Sequence, residues 1–175
     1  EYGVIGKASG VAQSKSQPVH DIFSSLNIPR INAMTEPTDL EKNQFMTDSF
    51  IRINELLVQL CEQLQNEISN IKVVTEWVDT KNVIYRFYAN GNQVRGLKLF
   101  LGNIFGGRDI NIGISTDMLL SGNNNSFNGM LSLKFEKGQL LLFAMMSMSM
   151  NQRTMTVEEA VKDIWESYIQ PYLKR

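Results

Sequence analysis

At 175 residues, with 17 Lys and Arg against 18 Asp and Glu and a formal net charge of -1, the chain carries no global field for nucleic acid or an anionic membrane. Its single cysteine, Cys61, excludes an internal disulfide framework, and no run of about 18 apolar residues is present to cross a bilayer as a helix. The N-terminus has neither the basic nor the apolar region of a secretory signal, which together with the lone thiol points to the cytoplasm.

Residues 1–36 are rich in Gly, Ser, Gln and Pro and lack apolar periodicity, the composition of a linker. Residue 1 is Glu rather than Met, so we expect this linker to arrive from an upstream domain. Within it Ile22, Phe23 and Leu26 fall at helical spacing. They predict a short turn docked on the main body, either as an anchor filling a groove or as a peptide-like recognition motif.

Residues 37–175 read as a single domain. Pro37, Thr38 and Glu41 form the pattern of a capping box, and Asp39 and Glu41 suit the positive end of a helix dipole. Met46, Phe50, Ile53, Leu57, Leu60, Leu64 and Ile68 recur at spacings of three and four, predicting a helix to about Asn70 whose stripe is a core face or a coiled-coil seam. Cys61 falls at the edge of that stripe as a half-buried structural residue. No His or basic side chain follows it at i+3 or i+4 to lower its pKa.

Strands follow over Ile71–Asp79, Asn82–Ala89 and onward to Leu101, with Asn90-Gly91 the strongest hairpin signal because both positions accept positive φ. A two-residue turn there sets Phe87 opposite Val94, Tyr85 opposite Gly96 and Arg86 opposite Arg95. Facing like charges are destabilising, so the two arginines must be solvated, splayed, or bridged by an anion or carboxylate. After a Gly106-Gly107-Arg108 connection, Ile110, Ile112 and Ile114 alternate with polar residues as a half-buried strand. Beyond the polar loop at Gly122–Asn125, a second hairpin spans Phe127–Glu136 and Gln139–Ser147 across Lys137-Gly138. Leu131, Leu133, Phe135, Leu140, Leu142, Ala144 and Met146 share its core face. The other face, with Met130, Leu141, Phe143 and Met145, is too apolar to stay in water, and we expect residues 19–28 or another chain to cover it. Thr156 and Glu159 form a second capping box, Val157, Val161, Ile164, Trp165, Tyr168 and Ile169 a buried stripe, and Pro171 should end that helix near Gln170. The fold class is α+β: a long helix, about six mainly antiparallel strands and a C-terminal helix, with both helices on one face of the sheet.

The only histidine, His20, lies in the linker, so neither a hydrolase triad nor a zinc site has its residues, and we expect a non-enzymatic chain with no cofactor or metal. Two surfaces remain. Arg86, Tyr88, Arg95, Gly106, Gly107 and Arg108 are candidates for a nucleotide-like anion, although the glycines lack the Gly-Lys-Ser/Thr of a P-loop. Met130, Leu141, Phe143 and Met145 are candidates for a protein partner or for self-association. An extended nucleic-acid track and a membrane partner are not expected.

The motif order DIFSSLNIP, LEKNQFMTDSF, YANGNQVRGLKLFLGNIFGG, NNSFNGMLSL, MSM and AVKDIWESYIQP resembles a C-terminal region of bacterial Toll/interleukin receptor (TIR) domain proteins, from about residue 21 to the end. The resemblance implies an upstream TIR domain, an NAD-cleaving effector in antiphage defence whose catalytic glutamate lies outside this chain. The region here would then be an accessory module that senses a trigger or holds effectors in an assembly.

Overall fold

The computed structural model describes residues 21–28, 36–117, 124, 126–146 and 152–173. His20, Met148, Met150, most of the linker and all of the Gly122–Asn125 loop except Asn124 lie outside the described residues. The chain divides into two units, residues 1–34 and 35–175. In the first, α1 is a single turn, Ile22–Ser25, begun by Asp21, whose carboxylate accepts from the Ser24 backbone N–H. Within this unit Ile22 and Leu26 are exposed.

The second unit runs α2 (Asp39–Glu67), β1 (Ile71–Asp79), β2 (Asn82–Ala89), β3 (Asn92–Gly102), β4 (Asn111–Ser115), β5 (Gly129–Glu136), β6 (Gln139–Met146), β7 (Thr154–Met155) and α3 (Val157–Ile164). The strands form one 7-stranded sheet in sequential order, and every neighbouring pair is antiparallel. The strand beyond the expected six is β7, a two-residue pairing immediately ahead of α3. Both helices begin at the predicted capping boxes, Thr38 with Glu41 and Thr156 with Glu159.

Asn90-Gly91 and Lys137-Gly138 have positive φ at both positions, the backbone of two-residue hairpin turns whose twist matches that of the flanking strands. The second hairpin keeps its expected register from Glu136 opposite Gln139 to Leu131 opposite Ala144, then shifts by one residue before Met130. The first hairpin keeps its expected register only through Ala89 opposite Asn92 and Tyr88 opposite Gln93. A bulge between Phe87 and Tyr88 makes Val94 an extra residue, so Phe87 faces Arg95, Arg86 faces Gly96 and Tyr85 faces Leu97. Because side chains alternate along a strand, that one residue moves Arg95 to the opposite face from Arg86. The expected Arg86–Arg95 pair does not form.

One face carries the main core. Val83, Tyr85, Phe87, Leu97, Leu99, Ile112, Leu131 and Leu142 pack under Phe50, Ile53 and Leu57 of α2 and under Ile164 and Tyr168 beyond β7, so both helices share that face. Each fully buried side chain of this kind stabilises the fold by roughly 1.5–3 kcal/mol. The buried line of α2 ends on Cys61, while Leu60 and Leu64 are half-buried and Ile68 is exposed. A straight helix drifts by about 20° per heptad relative to a strict seven-residue repeat, which brings Cys61 into the core and rolls Leu64 out. The opposite face is partly buried too. The Phe100 ring lies on Gly113, where a Cβ would come within 2.2 Å of it, and Ile84, Lys98, Phe100 and Met130 are all inaccessible.

The C-terminal helix does not stop at Gln170. A π-helical turn over Trp165–Ile169, in which the Gln170 N–H reaches back to the Trp165 carbonyl, carries the chain through Pro171 to Leu173. The wider turn displaces the carbonyls that a proline would otherwise meet.

Candidate functional site

The residues expected to bind an anion are placed apart. Arg86 lies on the second face, and its Nη1 donates to Glu76 Oε2 at 2.6 Å, so a carboxylate of the neighbouring strand already neutralises it. Tyr88 is half-buried on the same face. Arg95 lies under the C-terminal helix. Its Nε donates to the Tyr168 carbonyl at 2.8 Å and its guanidinium stacks 3.6 Å from the centroid of Tyr172. Burial lowers its pKa, and the two tyrosines oppose that shift. Arg95 thus ties the Tyr168 carbonyl to the sheet, a cation near a helix C-terminus. Gly106, Gly107 and Arg108 sit in the exposed connection at the far end of β3, roughly 23 Å along the strand from Arg95 at 3.3 Å per residue. Gly106 takes φ 73°, and Asn103 Nδ2 donates to the Gly107 carbonyl, so the connection closes on itself.

That connection does border a cleft of about 540 Å³ whose walls include Lys42, Asn103, Phe105, Asp109, Ser132 and Phe135. It forms because β4 begins only at Asn111, whereas β5 runs on past Ser132, leaving a gap beside β5. Phe105, largely exposed, stacks edge-on against Phe127 with 6.1 Å between ring centroids. A second, more apolar groove of about 390 Å³ runs between α2 and α3 over Leu56, Leu60, Val161 and Trp165.

Of the interface candidates, Met130 is fully buried behind Gly113 and presents nothing to a partner. Leu141 and Phe143 are half-buried, with Lys134 Nζ 5.5 Å from the Phe143 ring, and Met145 alone is exposed. Cys61 is buried, and burial followed by the charge of Glu62 pushes its thiol up to about 12, far from a nucleophile's range. Next to it, Tyr85 Oη donates to Asn54 Oδ1 at 2.7 Å, and Asn54 Nδ2 donates to the Phe50 carbonyl at 2.8 Å. This buried polar pair fastens α2 to β2, and desolvation holds the Tyr85 hydroxyl protonated.

The surface that sequence reasoning missed is β1. It is a terminal strand, and its Val74, Trp77 and Val78 are 49%, 50% and 45% exposed. The Asn90-Gly91 turn joins Ala89 and Asn92, which fixes the hydrogen-bonding direction across the sheet. Odd-numbered residues of β2 point their backbone groups at β3, even-numbered ones at β1, and so Ile71, Val73, Thr75 and Trp77 of β1 point theirs outward. Two of those outward N–H groups are satisfied locally: Ile71 donates to the Ile68 carbonyl and Val73 to Gln65 Oε1 at 3.0 Å. No hydrogen bond among the described residues occupies the outward groups of Thr75 and Trp77. The doublets Val73–Val74 and Trp77–Val78 are the sequence signal, because they put apolar side chains on both faces of one strand.

Among the described residues no group of His, Cys, Asp or Glu is placed to hold a metal, and no helix is long and apolar enough to cross a membrane. A family model described as the Y4lF protein domain matches residues 72–170, more than half of the chain, which belongs to that family. No curated protein and no solved structure matches it.

Proposed function

We propose that this member of the Y4lF family is a non-enzymatic interaction module, a sensor or oligomerisation unit appended to an upstream effector in the cytoplasm. The observation that supports it is the β1 edge, where Val74, Trp77 and Val78 are half-exposed beside backbone groups that no hydrogen bond among the described residues occupies. Apolar side chains on an open edge are a template for pairing with another chain, and they cost solubility where they serve no partner. The effector follows from the TIR resemblance alone: an NAD-cleaving domain of bacterial defence, whose activity this module would gate or gather. Light scattering across a concentration series tests the reading, with an added upstream effector domain as the second arm. A mass that rises with concentration, or a complex with the effector, supports it; a monomer that ignores both overturns it.

The cleft beside Phe105 favours a second reading, a small-ligand domain. Its volume falls within the usual range for small-molecule sites, and Lys42 with Gly107 would receive the anionic part of a nucleotide-like ligand against Phe105. Thermal shift with a nucleotide panel decides it, since a ligand at 100 times its dissociation constant adds about 2.7 kcal/mol. No shift with any nucleotide removes this reading.

A further inference from the structure

We propose that the partner of the β1 edge is a second copy of this chain, joined by antiparallel β1–β1 pairing about a two-fold axis at Glu76. The proposal rests on the interaction-module reading and names its partner and register. Two identical edges can pair antiparallel only if outward-facing residues meet outward-facing residues, which restricts the axis to a few positions along the strand. An axis at Val74 or Thr75 would require the Val73 N–H, which Gln65 already holds. An axis at Trp77 would centre the pairing on the irregular end of the strand, between Trp77 and Asp79, and leave Val74 uncovered.

An axis at Glu76 uses only backbone groups that no hydrogen bond among the described residues occupies. Thr75 of each copy exchanges backbone hydrogen bonds with Trp77 of the other inside the regular part of the strand, and Val74 lies across from the irregular end that carries Val78, so every half-open apolar residue of the strand acquires an apolar or Thr neighbour. The sheet becomes continuous through both copies, with all helices on one side. The register also sets Glu76 against Glu76, a repulsive contact in isolation. Here each carboxylate is already held 2.6 Å from Arg86 of its own chain, so the axis carries two compensated pairs in place of two bare charges. That gives Arg86 a role the anion reading did not: it makes the edge self-complementary.

The register is tested by cysteine cross-linking in the full chain. Residues facing each other at a non-hydrogen-bonded position lie about 4.5 Å apart at Cα, within disulfide reach. Glu76→Cys should therefore give a covalent dimer under mild oxidation, while buried Cys61 stays silent. Lys72→Cys should not cross-link, because the two copies of that residue lie roughly 27 Å apart in this register at 3.4 Å per residue. Thr75→Pro removes an N–H that the monomer does not use, and edge strands tolerate proline there, so it should keep its circular dichroism and lose the dimer. Arg86→Ala should raise the dimer dissociation constant roughly tenfold or more by exposing the carboxylate pair, and Glu76→Gln in the same chain should reverse that.

Cross-linking at Val74→Cys rather than Glu76→Cys would overturn the register. A dimer that survives Thr75→Pro would overturn the β1 interface while leaving an oligomerisation module that uses another surface. A wild-type chain that is monomeric at every concentration overturns self-pairing, and binding to the effector domain then reports separately on the wider reading.

Discussion

The two edges of this sheet end in opposite ways. β7 is two residues long and turns at once into a helix anchored in the core by Ile164 and Tyr168; β1 is nine residues long and, among the described residues, is held at its outer side only by Ile68 and Gln65. A strand edge closed by a packed helix has no room for another strand. One closed by a carbonyl and a single side chain is sealed only as far as those groups reach, and here they reach Val73. The difference shows that burial of a sheet's face and protection of its edge are separate problems. Here the helices cover the core face of the sheet, while among the described residues the β1 edge is left open beyond Val73.

The contrast can be broken most severely on the closed side. Ile164→Ala should cost about 2–5 kcal/mol in chemical denaturation, because the cavity opens under the helix that does the closing. Arg95→Met keeps much of the side-chain volume but removes the hydrogen bond to the Tyr168 carbonyl, and should cost about 1–3 kcal/mol in the same assay. Loss of amide protection confined to the residues after Ile164 would locate the effect. On the open side, Gln65→Ala should cost only about 0.5–1.5 kcal/mol, since the Val73 N–H can turn to water, and it should strengthen self-association by lengthening the free edge.

The smallest effect is that of acid. Glu41, held low first by the Thr38 backbone N–H, and Asp79, held low first by the Asn82 side chain, both have folded-state pKa values below their ordinary 4.5 and 3.8. A depressed carboxylate binds fewer protons in the folded state than in the unfolded one. Its contribution is therefore complete above the ordinary value and is lost as pH falls through the folded value. Urea midpoints should decline below about pH 4.5, and Glu41→Gln with Asp79→Asn should flatten that slope. Asp79 ends β1, so its half of the acid response belongs to the open side.

Much of the fold was legible in the residues. The capping boxes at Thr38 and Thr156 and the turns at Asn90-Gly91 and Lys137-Gly138 are local chemistry, and each appears where its residues require it. The candidate site was legible only in kind. Arg86 and Arg95 are both functional-looking cations, but a bulge at Val94, which no residue type announces, sends one to a carboxylate and the other under a helix. Met130 alternates as an outward residue should, yet it is buried behind Gly113 and Phe100.

The sequence by itself determined the two long helices' starts, the order of the main strands and the hairpin turns, since these depend on contacts a few residues apart. Which strand would stand at an open edge, whether Pro171 would stop its helix, and whether Cys61 or Leu64 would enter the core were decided by the tertiary structure. Each depends on a neighbour far along the chain: β2 on one side of β1 and no strand among the described residues on the other, Arg95 beneath Tyr168, and the way α2 packs on the sheet.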